Sequence, residues 1–342
     1  MNYFNSLLKR GRLIKRFVKT RIGAIFLVSF FVYPSFSIAG DLTSIRISVL
    51  KFGSVNWTLE TIKKSGLDKK NGFELIIQPL ASTQANKIAL QANAADIIVS
   101  DWTWVARQRG FSSDYSFSPY SSSSGSLMVP NGSPIKSIRD LVGRKLGIAG
   151  GALDKNWLLL RALALTENIN LDNDVKKVFG APPLLNNLIQ QGELDALINF
   201  WHYSAQLEAK GYRKLTNTHD TIHRLGISKT VPILGYVFRQ EWGDNNAPAL
   251  NKFLSVSRHA SNLLCTSDSH WDAVLPLTRT HDIATQKLLR SRYCEGRVES
   301  FTLEDQRAIQ DIYAILAKTG GTKLVGSINQ LDPKLFWDTK PL

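Results

Sequence analysis

The chain has 342 residues, 44% hydrophobic and 20% charged, which excludes a disordered or collagen-like polymer and leaves room for one large core or two medium ones. Its formal charge of +14 resembles that of a nucleic-acid binder until it is located: residues 1–39 hold Lys9, Arg10, Arg12, Lys15, Arg16, Lys19 and Arg21 and no acid. The remaining 303 residues carry +7, from 35 basic and 28 acidic side chains, too dispersed for a nucleic-acid face.

The N-terminus runs from this basic stretch into an apolar segment, Ile22 to Val32, then Tyr33-Pro34 and the small-residue pattern Ser37-Ile38-Ala39 before Gly40. That order is expected of an export signal cleaved after Ala39. The apolar segment would span less than about 20 Å as a helix, short of a bilayer core. The mature chain is therefore expected to be soluble and periplasmic.

Next comes an apolar strand, Ile45 to Leu50, a glycine turn at Gly53, and a helix-period pattern opening at Asn56-Trp57-Thr58-Leu59. A second strand (Phe73 to Ile77), a turn at Pro79 and a helix (Ser82 to Ala92) lead to the strand Asp96 to Asp101, which opens into Trp102 and another helix. Gly125 to Val129 is a strand leaving this unit. The same order then recurs about one hundred residues later. Leu146 to Ala149 and Gly150-Gly151 precede Asn156-Trp157-Leu158-Leu159, and Val175 to Phe179, Pro182-Pro183 and the helix Leu184 to Gln191 follow. Asp195 to Phe200 then opens into Trp201, as Asp96 to Asp101 opens into Trp102.

Two motifs at offsets of 100 and 99 residues within one strand–helix order indicate an internal duplication of βαβαβ units. Strands joined by helices are parallel with right-handed crossovers, so the turns after their carboxyl ends share one edge, where ligands bind. The strand Val231 to Phe238 returns to the first unit and leads into long helices, Pro248 to Leu264 and Glu304 to Lys318. Two crossing segments form a natural hinge. The expected division is residues 1–39 as signal, 40–128 with 232–342 as lobe 1, and 129–231 as lobe 2.

Cys265 and Cys294, 29 residues apart, are the only cysteines. One disulfide is expected in an oxidising compartment, two buried thiols being the alternative. Six scattered histidines form no ligand-spaced cluster with them, so neither metal nor cofactor is expected.

Asp140-Leu141-Val142-Gly143-Arg144-Lys145-Leu146-Gly147-Ile148 resembles the "DLxGKxxGV" segment of periplasmic substrate-binding proteins of ABC importers, in the nitrate/taurine/sulfonate and thiamine-precursor group. Gln191-Gly192-Glu193-Leu194-Asp195-Ala196 is similar to that group's "xGxxDA" segment, and Ala94-Ala95-Asp96 to its first-lobe counterpart. The resemblance covers about residues 45–215 and implies a two-lobed α/β type II binding fold, each lobe a mainly parallel sheet flanked by helices. It also implies a monomer that closes on a small solute and delivers it to a permease and its ATPase. Contacts would come from Gly53 to Trp57, Ser100 to Trp102, Tyr120 to Ser124, Gly150 to Lys155 and Asn199 to His202. Within these stretches the candidate ligand residues are Asn56, Trp57, Ser100, Asp101, Trp102, Ser123, Ser124, Gly151, Asp154, Asn199 and Trp201.

Where anion-binding members usually place small or basic residues, this sequence has Asp101 and Asp154, and the "WxP" expected near Phe200-Trp201-His202 is absent. Anions sit at helix N-termini, and a carboxylate there repels them. Trp57, Trp102, Trp157 and Trp201 offer faces for a cation or a heteroaromatic ring. The expected solute is thus a small nitrogen compound, cationic or pyrimidine-like, with a sulfonate-type solute as the other possibility. Both aspartates also fit plain helix caps, and the tryptophans fit a core. The rival readings are a ligand-sensing or accessory periplasmic protein and an enzyme of pyrimidine-precursor synthesis. The second lacks a nucleophile motif or phosphate loop to support it.

Overall fold

The computed structural model describes residues 42–321 and 330–337, so the predicted signal segment lies outside the described residues. In chain order the elements are β1 (Thr43–Leu50), α1 (Val55–Lys64), α2 (Leu67–Lys70), β2 (Phe73–Leu80), α3 (Thr83–Gln91), β3 (Ile97–Asp101), α4 (Trp102–Arg109), β4 (Tyr115–Ser121) and β5 (Gly125–Val129). The second half continues with β6 (Lys145–Ala149), α5 (Lys155–Thr166), α6 (Leu171–Asp174), β7 (Lys176–Gly180), α7 (Pro182–Gln190), β8 (Ala196–Phe200), α8 (Trp201–Ala209), β9 (Arg213–Asn217) and α9 (Thr218–Arg224). After the return strand β10 (Leu234–Arg239) come five helices: α10 (Gln240–Asn245), α11 (Ala247–Thr266), α12 (Asp268–Thr278), α13 (Ile283–Glu295) and α14 (Leu303–Gly320).

Two five-stranded sheets result, in the orders β2-β1-β3-β10-β4 and β7-β6-β8-β5-β9. The duplication read from the sequence is present at the level of topology. β1 pairs in parallel with β2 and β3, as β6 does with β7 and β8. The fourth strand of each sheet is antiparallel: β10, which follows the whole second sheet in the chain, lies against β3 and β4, and β5, which leads from β4 into the second sheet, lies against β8 and β9. The edge strands β4 and β9 escaped the sequence reading because the alternation of Tyr115, Ser116, Phe117 and Ser118 is short and broken by Pro119, and Arg213–Asn217 holds a single aliphatic residue, Leu215.

Each sheet buries apolar strands against its helices. Ile45, Ile47 and Val49 of β1 pack with Leu59, Ile62 and Phe253, and Leu146 and Ile148 of β6 pack with Trp157, Leu160 and Leu163. Two further clusters join the halves. Leu158 and Leu159 of α5 pack with Ile309, Ile312 and Tyr313 of α14. Trp57 of α1 packs with Ala205 of α8 and with Trp271, Leu289 and Tyr293 of α12 and α13. Cys265 and Cys294 are disulfide-bonded, tying α11 to α13. Among the described residues, no helix is long and apolar enough to cross a membrane.

Candidate functional site

The strand–helix turns of both sheets converge on one cavity of about 430 Å³. Helices α1, α3, α4, α5 and α8 all begin at its wall, as parallel strands dictate. Its apolar lining includes Leu50, Val99, Trp104, Tyr120, Leu153, Phe200 and Trp201.

Both aspartates act as N-caps. Asp101 accepts from the Trp104 backbone N–H at 3.0 Å and from the Thr103 hydroxyl, and Asp154 accepts from the Asn156 N–H at 2.9 Å. They are not bare negative charges, because the buried Lys155 ammonium lies between them, 3.5 Å from Asp154 and 3.9 Å from Asp101. Burial opposes the charge on Lys155, but the two carboxylates outweigh it and hold its pKa above the ordinary amine value. Burial likewise opposes ionisation of Asp101, while Lys155, Lys87 and its hydrogen bonds outweigh it and keep its pKa low. Gly150 leaves room for this arrangement: its φ is +86°, and a Cβ there would stand 2.5 Å from Asp154 Oδ2.

Two further cations face the cavity with no ion pair or hydrogen bond among the described residues, Lys87 on α3 and Arg107 on α4. The Lys87 ammonium stands 5.3 Å from the centre of the Trp104 ring, and desolvation lowers its pKa. With Lys87, Arg107 and Lys155 against Asp101 and Asp154, positive charge predominates at the wall. His202, in the first turn of α8, is buried, and neither ring nitrogen makes a well-formed hydrogen bond among the described residues. Burial, partly offset by the Phe52 backbone, pushes its pKa from 6.5 to about 4. Helices α1 and α8 have no side-chain N-cap, so the positive ends of their dipoles are not neutralised there.

The cavity brings together Ser100, Asp101, Ser124, Asp154 and Trp201 from the sequence-derived set. The others lie elsewhere, each for a packing reason. Trp102 is buried in the first half's core and donates from Nε1 to Pro232 O at 3.1 Å. Trp57 is edge-on to Trp201 and Trp271, with ring centres 5.8 and 5.5 Å away, and Trp157 sits in the second half's core. The tryptophan sandwich expected for a cationic or pyrimidine-like ring therefore does not form. Of the four tryptophans proposed to supply it, Trp201 alone lines the cavity, joined there by Trp104.

Asn56 braces its own turn, donating to Leu50 O and Gly53 O at 2.8 Å. Asn199 is fully buried and donates to Pro182 O and Asn186 Oδ1, holding the turn into α8. Gly151 accepts through its carbonyl from the Asp154 N–H, and Ser123 faces a rear groove beside Arg292 and Glu208. Lys87 and Arg107 were missed, although spacing held the signal. Thr83, Lys87 and Gln91 recur at i+4, and Trp104, Arg107 and Gln108 at i+3 and i+4, so each set is one helix face turned to the sheet edge.

Two half-duplicated α/β sheets, joined by crossing strands and enclosing a cavity at their carboxyl edges, define the two-lobed periplasmic-binding-protein fold. The family model described as "NMT1/THI5 like" matches residues 63–267, and the chain belongs to that family. Among solved structures it is similar to a protein of Bordetella bronchiseptica RB50 (TM-score 0.71, 17% identity, covering 87% of this chain and 95% of that one). It is also similar to the alkanesulfonate-binding protein SsuA of Xanthomonas axonopodis pv. citri bound to MOPS (TM-score 0.68, 14% identity, 86% and 98% covered). A third is the periplasmic aliphatic sulphonate binding protein SsuA of Escherichia coli (TM-score 0.66, 16% identity, 87% and 93% covered). At these identities the likeness concerns the fold. No curated protein matches the chain.

Proposed function

We propose that the chain is the periplasmic solute-binding component of an ABC importer, a monomer that captures a small organic anion of the sulfonate type and presents it to a permease. Its lobes would be residues 40–124 with 232–342, and residues 125–231, the boundary moved from 128 because β5 pairs with β8 and β9 of the second sheet. The observation that carries the anion is the pair Lys87 and Arg107, without an ion pair among the described residues, at the wall of a cavity whose third cation, Lys155, is already matched by Asp101 and Asp154. Apolar walls from Leu50, Val99, Leu153 and Phe200 fit a hydrocarbon body behind the charged head. Two structural neighbours that bind sulfonates support this choice over the nitrogen compound suggested by the aspartates alone. Binding rather than conversion is supported by the same comparisons.

Thermal unfolding of the mature protein tests this. A solute that binds only the folded state stabilises it by about 2.7 kcal/mol at one hundred times Kd. Alkane- and arenesulfonates are expected to raise the melting temperature, and amines, betaines and pyrimidines to leave it unchanged. Lys87→Ala and Arg107→Ala are each expected to weaken sulfonate binding roughly tenfold to a hundredfold, the worth of a charge-assisted hydrogen bond. A shift with amines or pyrimidines only would overturn the reading.

A further inference from the structure

Two ion pairs join groups attached to different sheets. Arg292 of α13 meets Glu208 of α8 at 2.9 Å behind the cavity, and Lys155 of α5 meets Asp101 at the end of β3 within it. Lys155 belongs to a continuous polar chain. Its neighbour Asp154 accepts from the Asn156 side-chain amide at 2.9 Å. Asn156 Oδ1 accepts from the hydroxyls of Ser124 and Thr218, both at 2.7 Å. Thr218 in turn accepts from the Gly125 N–H at 3.1 Å, and Gly125 opens the strand that crosses between the sheets. The fit there is close, since a Cβ on Gly125 would stand 2.6 Å from Asn199 O. Three successive residues, Asp154, Lys155 and Asn156, thus reach the opposite sheet and the crossing strand at once.

We propose that Lys155 is the positioning residue that latches the cleft, holding Asp101 of the first lobe against the second and passing the closed arrangement through Asp154 and Asn156 to the crossing strand. This rests on the solute-capture reading of the cavity. Without the ammonium, Asp101 and Asp154 face each other as like charges in a partly buried cleft, which drives the lobes apart. An anion seated at Lys87 and Arg107 adds negative charge next to Asp101. Lys155 is then the cation that meets it from the second lobe, so capture and closure reinforce one another.

Small-angle X-ray scattering on the mature protein, with and without hexanesulfonate, tests the latch. Lys155→Met keeps a long aliphatic side chain and removes the ammonium, which stands 5.6 Å from the centre of the Phe200 ring. It is expected to raise the radius of gyration of the solute-free protein and to weaken hexanesulfonate binding roughly tenfold. Lys155→Arg is expected to behave as the native protein, and adding Asp101→Asn to Lys155→Met is expected to restore compactness by removing the repulsion. A merely structural lysine would give neither rescue. If Lys155→Met matches the native dimensions, or if the double variant stays as expanded as Lys155→Met, the latch is wrong. Failure of hexanesulfonate to bind the native protein would instead strike the solute reading, and the solute-free comparison would still decide the latch.

Discussion

Asn56-Trp57 and Asn156-Trp157 stand at equivalent places in two sheets of the same strand order, yet their side chains do different work. Trp57 turns outward from its sheet into the cluster between the halves, where Trp201, Trp271 and Tyr293 surround it. Trp157 turns inward and fills the second half's own core. Asn56 closes its own turn, whereas Asn156 serves the polar chain to the crossing strand. The second matched pair divides the same way. Trp102 is core and Trp201 is cavity wall; Thr103 donates to Asp101, and its counterpart His202 makes no well-formed hydrogen bond from either ring nitrogen among the described residues. A repeated backbone sets where a residue starts, and the neighbours contributed by the rest of the chain decide which way it faces.

That contrast can be broken by experiment. The largest effect is expected at Trp102→Ala, a loss of about 3–5 kcal/mol in urea unfolding with sulfonate affinity of the folded protein unchanged, because a fully buried ring is removed. Trp201→Ala is expected to do the reverse, costing less stability and weakening affinity; equal behaviour of the two would erase the distinction between core and wall. Next in size is the pH response. His202 stays neutral in the folded protein down to about pH 4, while in the unfolded chain it takes a proton near pH 6.5. Stability is therefore lost as pH falls through that window, by about 3 kcal/mol, and the His202→Gln variant should show a flatter stability profile there. Asp101, depressed below the ordinary carboxyl value, contributes stability that is present above that value and lost at more acid pH. Smaller is the asparagine pair: Asn156→Ala should cost about 2 kcal/mol by removing the acceptor of the buried Ser124 hydroxyl and one of the partners of Thr218, and Asn56→Ala about 1 kcal/mol, measured by the same unfolding.

The fold was legible because strand runs such as Ile45 to Leu50 and Leu146 to Ala149, glycine and proline turns, and the hundred-residue offset all carry local signals. The candidate site was legible only near the carboxyl end of a strand, as at Ser100 and Asp101 closing β3, Asp154 in the turn after β6 and Trp201 directly after β8. Lys87 and Arg107 lie one turn or more inside their helices, and their approach to the cavity depends on how those helices are rotated against the sheet. The aspartates misled for a related reason. Their charge was read without Lys155, whose reach to Asp101 exists only after the two halves meet.

The exchange of strands between the sheets also governs the order in which the chain can acquire its shape. All five strands of the second sheet fall within residues 125–217, so that half can assemble as soon as this stretch has emerged. The first sheet is in a different position: within it β4 pairs with β10, and its further bridges, Phe117 with Phe336 and Ser121 with Arg297, come later still, so Tyr115–Ser121 must wait for Leu234–Arg239. A nascent chain cut short before residue 234 would leave an unpaired strand edge, the kind of surface on which chains aggregate, until the last strand arrives to cover it.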